Sequence, residues 1–195
     1  MAENNYFKAI GTVISGPVFD FECKGESFFT FFMKVKRISC VYDIFRCRIN
    51  RFMTQYVEVG KDLEIYGEIR TYNKTLDDKR KLIIYAWVKE IYTPAPEAVN
   101  ENTVFLDGYI CKPPALRSTP LGRRICDVLI AVNRPYGKSS YIPCIFFGSS
   151  ADKISELTVG NEIRFMGRLQ SREYEKDKKI RMVNEVLAIR SGEEL

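Results

Sequence analysis

Val59-Gly60-Lys61-Asp62-Leu63-Glu64-Ile65-Tyr66-Gly67-Glu68-Ile69 and Val159-Gly160-Asn161-Glu162-Ile163-Arg164-Phe165-Met166-Gly167-Arg168-Leu169 follow one pattern, exactly one hundred residues apart and without a gap. Self-similarity at a fixed offset marks a duplicated structural unit. Further pieces align in the same order: Phe7–Gly11 with Val104–Gly108, Met33–Arg37 with Ile130–Arg134, and Lys81–Ile84 with Lys179–Met182. Thr93-Pro94-Ala95-Pro96 and the polar residues that follow lie between the copies and read as an extended linker. The expected organisation is an N-terminal domain over 1–92, a linker over 93–101 and a C-terminal domain over 102–195.

The second copy gives the fold most clearly. Val104–Ile110, Ile125–Val132 and Tyr141–Phe147 are β-branched and aromatic runs. Asn161–Gln170 alternates, with Ile163, Phe165 and Leu169 on one side and Arg164, Met166 and Arg168 on the other, which is the period of a half-buried strand. Lys179–Ile189 makes a fifth strand. Ser149–Leu157 is the one helical candidate, with a serine cap and apolar spacing. Three strands, a short helix and two strands is the order of a five-stranded OB barrel. Gly108 and Gly167 interrupt strands as barrel corners require. The first copy repeats the order with Arg51–Tyr56 in the helix slot. The fold class is therefore all-β, two tandem OB barrels, each with a short helix between strands three and four. Trp87, in the fifth strand of the first copy, is expected in the core.

Composition excludes much chemistry. With 195 residues and 46% hydrophobic content the chain can bury a core, and its net charge of +5 is mild. Histidine is absent, which removes Ser-His-Asp and Cys-His catalysis and every histidine-containing zinc site. The six cysteines include no C-x-x-C pair. Neither a Gly-rich phosphate loop nor a carboxylate cluster suited to a metal nuclease is present. The opening residues do not resemble a signal peptide, and no apolar run has membrane-spanning length. A reducing cytoplasm is expected, with no catalytic residues, cofactor, metal, small-molecule substrate or membrane partner.

OB domains hold single strands through a basic groove and aromatic platforms on which bases stack. Arg134, Tyr136 and Lys138 lie between strands two and three of the second copy, Tyr141 opens strand three, and Phe147 closes it. Arg168, Arg172 and Tyr174 follow in and after strand four, where the chain is expected to enter a loop over Glu175–Lys179. Aromatics in strands are usually core, and exposed arginines usually form a solvated face.

The stretch from Asn102 to Tyr174 resembles the bacterial single-stranded-DNA-binding family. The resemblance rests on Asn102-Thr103-Val104 with Gly108, Thr119-Pro120-Leu121-Gly122, Ile130-Ala131-Val132-Asn133-Arg134, Phe146-Phe147-Gly148 with Ala151, Gly160, and Gly167–Tyr174. It implies that Tyr136, Tyr141, Phe147 and Tyr174 stack on bases, tyrosine replacing the family's common tryptophan at three of them. The first copy departs from the pattern: Tyr42 matches Tyr141, but about Arg48 stands where Phe147 would. Arg37, Arg46, Arg48, Arg51 and Lys74 could line a groove there, with Tyr42 and Tyr72 as platforms. The family typically ends in an acidic, Pro-Phe-containing tip. This chain stops at Glu193-Glu194-Leu195, so recruitment through such a tip is not expected.

The resemblance implies sequence-independent single-stranded DNA binding in replication, recombination or repair. Because the family generally assembles four OB domains, it also implies a homodimer. The alternatives are a primosomal, replication-restart OB protein and an OB protein-interaction scaffold that does not hold DNA.

Overall fold

The computed structural model describes residues 4–76, 79–98, 101–176 and 179–191. The first repeat runs β1 (Asn5–Cys23), β2 (Glu26–Lys36), β3 (Tyr42–Asn50), a single 3₁₀ turn (Arg51–Tyr56), β4 (Asp62–Leu76) and β5 (Lys79–Tyr92). The second runs β6 (Asn102–Ile110), β7 (Ala115–Ser118), β8 (Arg124–Arg134), β9 (Lys138–Phe147), α1 (Gly148–Ser155), β10 (Glu162–Lys176) and β11 (Lys179–Ser191).

Each repeat closes on itself. β1 pairs with both β2 and β4, and the parallel contact of β3 with β5 completes the ring. In the second repeat β6 pairs with β8 and β10, and β9 with β11. Closure removes the free strand edges that an open sheet would leave. Inside lie alternate residues of the strands, among them Phe31, Phe45 and Ile69 in the first barrel and Ile130, Phe146 and Phe165 in the second. The glycines of the repeated string are required by this closure. A Cβ on Gly67 would lie 2.0 Å from the Trp87 carbonyl oxygen, and one on Gly167 would lie 2.4 Å from that of Leu187. No larger residue allows two strands to approach so closely.

β1 also pairs antiparallel with β6 and joins the barrels into one eleven-stranded sheet. Phe7 stands opposite Val104, the residue that matches it in the repeat, while Asn5 stands opposite Leu106 and Ala9 opposite Asn102. The pairing is thus two-fold about Phe7 and Val104. The same symmetry governs the polar anchors. Asn5 brackets Ile69, donating to its carbonyl at 2.7 Å and accepting its N–H at 2.9 Å. Asn102 does the same to Leu169 at 2.8 and 3.0 Å.

Four details differ from the sequence reading. The helix of the second repeat begins at Gly148, with Phe147 rather than a serine in the capping position and no side-chain cap. β7 is an added strand, paired with β8, that the proline-flanked segment before it concealed. β10 continues to Lys176 in unbroken pairing with β11, so the backbone of Tyr174 sits in a long hairpin opposite Arg181 and not in a loop. Trp87 is not a core residue: it lies half-buried on the outer face, with the Arg70 guanidinium 4.3 Å from its ring.

Candidate nucleic-acid interface

β9 shows why the second repeat offers an open surface. Ile142, Cys144 and Phe146 point into the core, so the alternation turns Tyr141, Pro143, Ile145 and Phe147 outward. Tyr141 is 48% and Phe147 40% exposed, large values for aromatics in a central strand. The parallel register sets Leu187 beside Ile145, and the antiparallel one sets Arg168 opposite Leu187. Arg168 and Arg172 therefore border the same face as the two aromatics. Tyr136 crowns the β8–β9 turn, 95% exposed, where it and Gly137 both take left-handed conformations. A left-handed tyrosine is uncommon and keeps the ring outside any packing.

Register separates residues that the sequence grouped together. Arg134 and Lys138 face each other in the β8–β9 pairing and share the parity of the inward-facing Val132 and Ser140. They point to the opposite side from Tyr141. Counting the alternation back from Ile130 would have revealed this. The Arg134 Nε is buried there without a partner among the described residues. The side chain of Tyr174 lies outside the described residues.

The outer face carries carboxylates as well. Glu185 is buried beside the aromatics and paired with Arg172 at 3.4 Å, while Arg117 from β7 holds Asp127. Burial pushes the Glu185 carboxyl above the usual carboxylate range, and Arg172 only partly opposes this. A carboxyl whose pKa is raised by folding favours the native state fully below the unfolded value, and that contribution is lost as pH rises through the folded value. Glu185→Gln is thus expected to melt above wild type at pH 7, with the difference vanishing towards pH 4, as thermal scans across that range would show.

The first repeat presents a different outer face. Arg48 is only 7% exposed and ion-paired with Asp20 Oδ2, which also accepts from the Thr30 hydroxyl at 2.9 Å. The guanidinium carbon lies 4.7, 5.0 and 4.2 Å from the ring centres of Phe21, Tyr72 and Tyr85. Phe21 stacks on Phe28, which meets Trp87. The far end of β1 thus folds over half of this face and takes up Arg48 and Tyr72. Arg37 is likewise committed, to Asp43 at the boundary with the second repeat. Arg48, Tyr72 and Arg37 are thus engaged within the chain, Arg48 and Tyr72 where the far end of β1 packs and Arg37 through Asp43 of β3. The pairings also align Ile44, not Tyr42, with Tyr141, because Lys34 pairs with Ile44 as Ala131 pairs with Tyr141. Tyr42 occupies the place of Ser139, half-exposed, with the Lys34 ammonium 5.2 Å from its ring.

Arg46 and Lys74 remain available. Lys74 stands directly opposite Lys81 in the β4–β5 pairing, a like-charge juxtaposition that is unfavourable without an anion. Lys24 is a contributor that sequence reading missed. At the β1–β2 turn of the first repeat, its ammonium lies 5.9 Å from the Tyr136 ring of the second. No motif marks it, since its role depends on how the barrels meet.

Residues 101–191 match the Single-strand binding protein family. Single-stranded DNA-binding protein 1 of Staphylococcus aureus is 36% identical over 81 residues, covering 38% of this chain and 48% of that protein. The single-stranded DNA-binding protein of Bacillus cereus is 36% identical over 95 residues, covering 45% and 56%. The chain thus spans about half the length of the curated relatives it matches. Over almost its whole length it is similar in fold to the wild-type single-stranded DNA binding protein from Thermus aquaticus: TM-score 0.77, 20% identity, covering 96% of this chain and 91% of that one. A deletion mutant of the Thermus protein superposes with the same TM-score. Residues 101–191 thus match the Single-strand binding protein family, and the chain as a whole shares the two-barrel OB fold of the Thermus aquaticus protein.

Proposed function

We propose that the protein binds single-stranded DNA without sequence preference, in the cytoplasm on the nucleoid, and serves replication, recombination or repair. The observation that carries this reading is the open outer face of the second repeat, with Tyr141 and Phe147 half-exposed in a central strand and Tyr136 fully exposed above them. Unpaired bases stack on such rings whatever their sequence, and flanking cations neutralise phosphates and release counterions. In this reading residues 102–195 form the main binding domain, 93–101 the linker and 1–92 a second OB domain whose own outer face is half covered.

Two chains bring four OB domains together. The surface suited to this is the far side of the central sheet. There Tyr6 and Tyr66 lie 6.3 Å apart, Tyr66 and Tyr92 5.6 Å apart, and Lys8 pairs with Glu64 at 3.1 Å. The test is anisotropy of labelled oligo-dT against duplex of equal length across a salt series. Preference for the single strand is expected, with affinity falling as salt rises and the slope counting phosphate contacts. Equal or absent binding to both would overturn the reading.

A further inference from the structure

The half of the first repeat's outer face that β1 leaves open contains a cavity of about 130 Å3. Phe32, Ile44 and Ile83 form its apolar wall, Arg46 and Lys81 its cationic rim, and Asn184 of the second repeat borders it from the β10–β11 hairpin. The Arg46 guanidinium carbon lies 5.1 Å from the Phe32 ring centre. The Asn184 Oδ1 is buried and has no hydrogen-bond partner among the described residues.

A buried acceptor without a donor is costly, and a partner in the cavity would relieve it. The partner must be flat and apolar enough for Phe32, must carry an N–H for Asn184, and must bring negative charge to Arg46 and to the opposed Lys74 and Lys81. An unpaired nucleobase with its phosphate meets all three requirements. The volume of the cavity is close to the roughly 150 Å3 of an apolar cavity that holds one benzene ring, which suits a single six-membered ring better than a fused pair.

We infer that this junction cavity is a second, separate base site, which takes one pyrimidine of a single strand. The ring lies on Phe32, a base N–H donates to Asn184 Oδ1, and Arg46 and Lys81 face the adjoining phosphate. Both repeats contribute, so the site exists only in the two-barrel chain. The inference rests on the single-stranded DNA reading but can be tested apart from it.

The test uses the full chain and two probes. In saturation-transfer NMR, thymidine 5′-monophosphate is expected to show transfer to its base protons with wild type and none with Asn184→Leu or Phe32→Leu, each checked for an unchanged melting curve. Absence of transfer with wild type, or its persistence in both variants, overturns the site. In titrations, Asn184→Leu is expected to weaken oligo-dT binding about five- to tenfold with oligo-dA unaffected, whereas Tyr136→Ala weakens both. An unchanged ratio of dT to dA affinity in Asn184→Leu overturns the inference while leaving the general DNA reading intact. Transfer from the mononucleotide without any binding of either oligonucleotide upholds the cavity and overturns the DNA reading.

Discussion

Replacing Tyr141 and Phe147 together by alanine is expected to weaken oligo-dT binding by about a hundredfold or more at fixed salt, with little change in the salt slope. Each base–aromatic stack contributes about 1–3 kcal/mol, and two such losses add because Tyr141 and Phe147 are well separated along the extended β9. An exposed cation contributes about 1 kcal/mol at most in comparable protein pairs, so the aromatics dominate. The salt slope stays constant because phosphate contacts, not stacking, release counterions. Stability is expected to fall only modestly, since both rings lie half-exposed on the outer face and not in the core. A loss smaller than threefold would show that strand three is not the stacking surface.

Asp43→Ala is expected to destabilise the protein by about 3–5 kcal/mol in urea unfolding, the cost of breaking a buried pair from one side. The Asp43 side chain is fully buried and accepts from Arg37 Nε at 2.8 Å and from the Ser171 backbone N–H of the other repeat at 2.6 Å. Arg37 also donates to the Ser171 carbonyl at 2.8 Å, and Ser171 Oγ accepts from the Ile44 N–H at 3.0 Å. Removal of the carboxylate leaves a guanidinium and a backbone N–H at the boundary between barrels without their partner.

The molecule supplies its own control. At the two-fold-related position Ser140 replaces Asp43 and Arg134 replaces Arg37. The Tyr141 N–H still donates to Thr71 at 3.0 Å, but the Ser140 hydroxyl is buried with no partner among the described residues. Ser140→Ala is therefore expected to be neutral or slightly stabilising. Equal costs at the two positions would mean that the Asp43 network does not clamp the repeats together.

Much of this protein was legible in the sequence alone. The Val59–Ile69 and Val159–Leu169 strings revealed the duplication, because barrel closure admits no side chain at Gly67 or Gly167. Strand order, the Arg51–Tyr56 turn and the exposed Tyr136 followed from alternation and turn chemistry, which are local. The tertiary structure decided what each outer face is free to do. Asp20 and Phe21 close over Arg48 because β1 runs on for nineteen residues and curls back along β2, and nothing local in the chain foretells that return. Arg37 and Arg46 look alike in sequence, yet one meets a buried carboxylate and the other borders an open cavity. Lys24 and Tyr136, or Asn184 and Phe32, become neighbours only because β1 pairs with β6 about a two-fold axis, a long-range register that sequence periodicity does not encode.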